Sequence, residues 1–586
     1  MAGMTEPQQA LVRLSAEFAA IAGQLTRASA ELYDLGVRLN GQPAVPAPVY
    51  WPYPQQPQPQ PQPQPLPLPL PQPAPVPREP TNWIGKALAA AGVAVTLIGV
   101  VLLVVLAAQA GLLAPPVRVA GGVVLAAALV SCGLWQRSRP GGAVGAIALA
   151  ATGIAAAYID VLAVTTMYDW LPAPAGLAVS ATVGGGGLLL ARRWETEQLA
   201  LLVLVPLIVL APIVAGGITL LLVGFMLALS AATLPVQIGR DWLWMFAART
   251  AAGSAPVMLA LVGVAFGSGH DAWLAGACAL AAILALGSAL VVLPHSTHRG
   301  AVALLAAAGA LPVLAVGAAV HEVVAALMAA ALSAAVLALV LSGHRIPGVT
   351  TPVRQVWTAL SAICALVAVG VGFAAPVAGP VLLAMAILAV VAGRHSVAAQ
   401  WSAALFGGFG GLYLLSMAGP ATLTSATVLT APDAVSVLIS SVLLGGYAGA
   451  QCWAARSRLD GDRGRLLLAG AAAVLVYAVT VFTVTAGVLI AGPGGGFLAG
   501  QMAATICWIA LAAALFGYAA RRAREDRSLP IGAGMALVAA AVAKLFVFDL
   551  GTLDGMFRVA VFIVVGLVLL GMGAGYARLL SQQHRN

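Results

Sequence analysis

Ionisable side chains set in apolar sequence are the places where chemistry could start, and this chain of 586 residues has few of them. Lys544 leads the run Lys544-Leu-Phe-Val-Phe-Asp549-Leu-Gly-Thr-Leu-Asp554-Gly-Met-Phe-Arg558, which holds two carboxylates and two cations. Asp160 closes a second apolar run beside Tyr158, with Tyr168 and Asp169 just beyond it, and His321 and Glu322 open a third. A charge at the centre of a membrane helix costs about 2.5–3.5 kcal/mol on insertion scales, so its retention implies a use. Two uses fit these residue types: a relay for protons or a polar substrate, or paired ions that lock helices together. Lys544 and Asp549 are five residues apart, about 140° around a helix, so they do not share a face. Partners for Lys544 are expected on other helices or across the 550–556 turn. Arg249 lies about two turns inside its run and is expected to reach the boundary by snorkelling.

Familiar catalytic patterns are missing. The sequence contains no GxxxxGK[ST], HExxH or GxSxG, which argues against a nucleotide-driven pump and against the hydrolases those motifs serve. No cofactor-binding or metal-binding pattern is read, and the five cysteines (Cys132, Cys278, Cys364, Cys452, Cys507) have no CxxC spacing. They read as small hydrophobes. The glycine runs Gly184–Gly187 and Gly494–Gly496 lack a strand-to-helix setting and read as packing or turn features. Polytopic glycosyltransferases that use lipid-linked sugars need acids in a large first external loop. The first external connection here, about 111–117, is short and has none.

The elements that must position these residues follow from composition. Hydrophobic residues make up 61% of the chain and charged residues 8%, against about 25% charged in soluble domains. Only a bilayer tolerates such a surface, and the predicted fold is all-α: a polytopic transmembrane bundle of about eighteen helices. The predicted spans are 84–110, 117–135, 142–165, 173–191, 197–213, 216–237, 243–266, 272–293, 300–320, 323–342, 355–374, 376–393, 397–417, 433–455, 466–491, 495–519, 530–550 and 556–577. The pairs 197–213 with 216–237 and 355–374 with 376–393 are short and close enough for one to be a re-entrant hairpin instead.

The loops test this count. Arg137, Arg139, Arg192, Arg193, Arg240, Arg299, Arg345, Arg354 and Arg394 fall in alternate connections. So do the clusters Arg456–Arg465 and Arg521–Arg527, while Lys86, Arg578 and Arg585 flank the ends of the array. Twenty basic residues stand on one side and only Arg118 and Arg558 on the other. The positive-inside rule then predicts cytosolic N- and C-termini in a bacterial-type inner (plasma) membrane. The net charge of +9 is spent in these loops and does not indicate nucleic acid as a partner.

Ahead of the array, Leu11, Leu14, Phe18, Ile21, Leu25, Ala28, Leu32 and Leu35 occupy heptad a/d positions, predicting a cytosolic coiled-coil-like helix over 6–38 that could form homo-oligomers. Its basic residues are balanced by acids, which argues against a membrane-surface helix. Residues 41–80 are rich in Pro and Gln and read as an extended, disordered spacer. Three domains are thus expected: 1–40, 41–80 and 81–586.

Asn82-Trp-Ile-Gly85, Gly111-Leu-Leu-Ala-Pro-Pro-Val-Arg118, Gly153 through Tyr168, and Lys544 through Arg558 to Tyr576 resemble a family of bacterial membrane proteins termed domain of unknown function 2339. The resemblance covers about residues 80–580 and implies the same plan of coiled-coil-prone start, variable linker and long helix array. It implies no reaction, ligand or catalytic residue. The leading functional expectation is a transporter- or flippase-like protein for an envelope component, a lipid, glycan or small molecule. A membrane scaffold recruiting partners through the N-terminal helix and an envelope-modifying enzyme are the alternatives.

Overall fold

The computed structural model describes residues 114–267, 271–455, 462–521 and 528–549, with short pieces between 559 and 571. The chain divides into two units, Met1–Pro80 and Thr81–Asn586. The expected coiled-coil helix, the Pro/Gln spacer and the first span, 84–110, lie outside the described residues, as does most of the last span.

Sixteen helices of twelve residues or more follow one another, with no strand among the described residues. They are α1 (Pro115–Arg137), α2 (Ala143–Leu162), α3 (Ala173–Trp194), α4 (Glu197–Val214), α5 (Leu220–Ala232), α6 (Leu243–Phe266), α7 (Trp273–Val292) and α8 (Arg299–Ala310). There follow α9 (Glu322–Leu341), α10 (Thr351–Gly372), α11 (Ala375–Ala392), α12 (Val397–Met417), α13 (Ala431–Ala454), α14 (Asp462–Ala491), α15 (Phe497–Ala520) and α16 (Ser528–Lys544). Among the described residues, fourteen stretches are long and apolar enough to cross a bilayer; one of these, Leu466–Ala519, holds most of both α14 and α15. Each of these helices falls on one predicted span, and both doubtful pairs are separate apolar stretches of 18 residues or more, α5 reaching that length together with the short helical turn Leu234–Gln237.

Local chemistry explains where the boundaries shift. The span predicted from 216 starts its helix at Leu220, because Gly216 and Gly217 turn with φ of 71° and 130° and the Thr219 hydroxyl then accepts from the Leu222 N–H at 3.3 Å. The span predicted over 300–320 changes at Leu311 into a tighter 3₁₀ segment, Leu311–Ala318, whose second residue is Pro312, which cannot donate to the α-helical ladder.

The core is a relay of overlapping clusters. One joins α2 to α6, a larger one runs from α5 to α10, and others link α10 to α12, α11 to α14, and α15 with α16, Val561 and Val565. The outer surface is as apolar as the core: Val124, Leu388 and Trp401 are well exposed, as expected where hydrocarbon is the solvent. Between α9 and α10, Ser333 Oγ donates to the Ser361 carbonyl at 2.8 Å and Ser361 Oγ donates back to the Ser333 carbonyl at 3.0 Å. Such reciprocal bonds are a means of joining helices in lipid, where apolar burial gives little drive.

The arginine-bearing loops meet at one end of the bundle. Arg137 Nη2 donates to the Trp194 carbonyl at 3.3 Å, Glu195 pairs with Arg240 at 2.7 Å, and Asp241 accepts from Ser296 Oγ at 2.9 Å and Thr297 N–H at 3.0 Å. Gly348, with φ of 89°, lies so close to the Leu293–Pro294 backbone that a Cβ there would collide with it. Loops that alternate in the sequence are therefore neighbours in space across α1–α10.

Candidate functional site

Asp160 is one residue pair from the end of α2, where the helix widens into a π-type turn, Ala163–Met167. Its carboxylate lies against the α1 backbone at Gly122, where a Cβ would overlap it. One carboxylate oxygen, Oδ2, is buried and has no hydrogen-bond partner among the described residues. The group forms part of the wall of a cavity of about 690 Å³ between α1, α2 and α3. Along α1 the lining runs from Val119 to Leu134, about 22 Å at the helical rise. The cavity is thus a groove along most of the membrane depth, apolar except near one end.

The glycines of α3 keep it open. Gly184 and Gly187 pack against Tyr158 and Leu207 and against Ile154 and Val203, while Gly185 and Gly186 face empty space. The Gly184–Gly187 run is therefore a packing feature on one helix face and a hollow on the other. Tyr158 is buried and donates its hydroxyl to the Val203 carbonyl of α4 at 3.2 Å, so it braces the wall. Asp169, with φ of 49°, is the exposed corner between Tyr168 and Trp170, whose rings stack at 5.1 Å. Asp is among the few residues that adopt that backbone readily.

Lys544 ends α16, ahead of a second π-type turn, Leu545–Asp549. Its ammonium donates to Thr505 Oγ1 at 2.8 Å and to the Gln501 carbonyl at 3.3 Å, and lies 6.0 Å from the centre of the Trp508 ring. Gln501, Thr505 and Trp508 share one face of α15 at i, i+4, i+7 spacing. Gln501 Nε2 donates onward to the Leu423 carbonyl at 2.6 Å, and Trp508 Nε1 donates to Thr480 Oγ1 of α14 at 3.1 Å. The lysine is thus the head of a polar seam through α14, α15 and α16. Asp554, Arg558 and the side chain of Asp549 lie outside the described residues.

His321 and Glu322 serve the start of α9. His321 Nδ1 accepts from the Val323 N–H at 3.3 Å, and Glu322 places its charge in the first turn, where the helix dipole favours it. Among the described residues, Asp160 and Lys544 are not brought together: α2 and α16 share no principal neighbouring helix.

Arg249 departs from the snorkelling expectation. It is 2% exposed within α6, its guanidinium 5.2 Å from the centre of the Phe246 ring, and Nε and Nη2 have no hydrogen-bond partner among the described residues. Position along the helix suggested an escape to the boundary; packing by neighbouring helices closes that route.

The sequence reading also missed the tied loops at the arginine-rich end. The Arg240 hydrogen bond and charge hold Glu195 below its usual carboxylate range, and the same bond raises Arg240. Partial burial pushes Asp241 upward, but the hydroxyl and N–H of Thr297, the Ser296 hydroxyl and the charge of His298 outweigh it, leaving Asp241 lowered. Glu197 accepts the Met245 N–H at 3.0 Å and so satisfies a donor in the first turn of α6.

Comparison with known proteins agrees with this architecture. A family model described as predicted membrane protein (DUF2339) matches residues 84–375 and 244–579, and the chain belongs to that family. No curated protein and no solved structure matches it.

Proposed function

We propose that this multi-pass DUF2339 membrane protein is a transporter- or flippase-like protein for an amphiphilic envelope component, with the α1–α3 groove as its path. The observation that carries the reading is Asp160, a carboxylate with a buried oxygen that has no hydrogen-bond partner among the described residues, in the wall of a largely apolar groove. A buried polar atom without a partner is costly, and a ligand that brings a donor removes the cost. The groove offers hydrocarbon contact along its length and an acceptor near one end, which suits a molecule with an apolar body and an amine or hydroxyl head. Under the positive-inside rule the arginine-rich end is cytosolic, so Asp160 faces the external leaflet in this reading. Lys544, with partners in hand, acts as a helix fastener.

The test is lipid movement in proteoliposomes of the full chain carrying a trace of tail-labelled phosphatidylethanolamine, read by reduction of the outward-facing label. Wild-type protein should expose inner-leaflet label to the reductant, and Gly186→Leu, which projects into the groove from a position with free space, should stop it. Equal movement in wild type, variant and protein-free vesicles would refute the proposal. So would efficient cross-linking of residues 84–110 to Val123 through the groove, which would make it the seat of the preceding segment.

A further inference from the structure

The α1–α3 groove has a second polar side chain in its wall, Thr182 of α3. The Thr182 hydroxyl donates to the Ala178 carbonyl one turn back at 2.9 Å, a common way for threonine to sit in a helix. That bond uses the only hydrogen the side chain can donate. What Thr182 presents to the cavity, from an exposed position on α3, is therefore an acceptor oxygen.

The packing register of α2 against α3 puts Thr182 level with Asp160. Gly176 packs on Thr165, Gly184 on Tyr158 and Gly187 on Ile154, so each step up one helix of this antiparallel pair is a step down the other. On that ladder the position opposite Thr182 is Asp160. Both line the same cavity, so two oxygens face one level of the groove from two walls. That level lies seven residues before the end of the π-type turn at Met167, about 10 Å inside it at the helical rise.

The remaining lining residues are aliphatic or glycine. The groove thus offers a carboxylate and a hydroxyl oxygen, both acceptors, and no side-chain donor. This selects the head of the ligand. An anionic head brings no opposite charge, and a hydroxyl brings one donor but leaves the carboxylate's charge unanswered. A trimethylammonium answers the charge and has no N–H. A primary ammonium brings the opposite charge and three N–H donors, enough for both oxygens at once.

We infer that Thr182 is a head-binding residue, and that the groove binds a lipid through a primary ammonium held between Asp160 and Thr182. The inference rests on the groove as the ligand site proposed above, and not on movement of the ligand through it.

Native mass spectrometry of the full chain in detergent tests this, titrating phosphatidylethanolamine, its N,N-dimethyl form and phosphatidylcholine of identical chains, which differ only in N-methylation and hence in N–H donors. Wild-type protein should retain the primary ammonium over the trimethylammonium by about tenfold, the scale of a hydrogen bond to a charged group, with the dimethyl form between them. Thr182→Val, which keeps the shape and removes the oxygen, should cut that preference to about threefold, and Thr182→Ser should restore it. Equal retention of the three lipids by wild type, or a full preference in Thr182→Val, would overturn the inference. Lipid movement in vesicles without this preference would overturn it and leave the transport reading standing, whereas the preference without movement would do the reverse.

Discussion

The groove around Asp160 and the seam around Lys544 each place one charged group inside an apolar bundle, and they treat it in opposite ways. The Lys544 ammonium meets a hydroxyl, a carbonyl and an indole face supplied by a single stripe of α15. The Asp160 carboxylate has the backbone at Gly122 on one side and a hollow on the other, with Oδ2 unpartnered among the described residues. A satisfied charge fastens helices; an unsatisfied one beside a cavity has affinity to spare. Both precede a π-type turn, so the local helix irregularity does not distinguish them. The partners do.

Substitutions can break this contrast. Lys544→Met should lower stability by about 1.5–3 kcal/mol, the net worth of hydrogen bonds to a charged group, and Gln501→Leu should act in the same direction by cutting the bond to Leu423. Asp160→Asn should leave the thermal midpoint at or above that of wild type, because it removes a half-buried charge whose Oδ2 has no partner among the described residues. If the two midpoints fall equally in detergent, both residues are structural and the contrast is lost. Arg249 sharpens it within α6: Arg249→Met should keep stability or raise it by about 1–4 kcal/mol, since a buried guanidinium whose Nε and Nη2 have no partner among the described residues gives way to a packed thioether. A large loss instead would show that the guanidinium has a partner in the membrane.

The tied loops should give smaller effects. Asp241 is lowered in the folded protein, so its contribution is present above the ordinary carboxylate value of about 3.9 and is lost as pH falls through the still lower folded value. Thermal melts of wild type should therefore show no Asp241-dependent change between pH 5 and pH 8 and a loss below about pH 4, whereas Asp241→Asn should lack that acid step. Smallest of all, Glu195→Gln should shift the midpoint only at low salt, because its pair with Arg240 is solvent-exposed and screened. A salt-independent loss would mark the pair as part of the fold's framework.

Much of this architecture is legible in residue order. Hydropathy alone locates the described helices, because in lipid a helix must satisfy its own backbone, and arginine placement foretells that alternate loops share one end, though not that Glu195 meets Arg240 or Asp241 meets Thr297 there. The site is less legible. Gln501, Thr505 and Trp508 have the spacing of a polar stripe, but nothing in the order of residues says that the stripe faces Lys544. Asp160 looks like any charge near a helix end until Gly122 is seen to admit its carboxylate at the wall of a cavity. Arg249 shows the limit most clearly, since its depth along α6 was readable and its enclosure by neighbouring helices was not. Helix positions follow from one-dimensional hydropathy; cavities follow from which faces meet.

The central claim is that Asp160 serves a ligand while Lys544 serves the fold. Its most direct test is the initial rate of lipid movement by Asp160→Asn in proteoliposomes, normalised to folded protein and compared with Lys544→Met at equal folded content. The account predicts that Asp160→Asn falls to the protein-free rate with its full complement of folded protein, while the Lys544→Met that does fold moves lipid as wild type does. Wild-type rates from Asp160→Asn would contradict it.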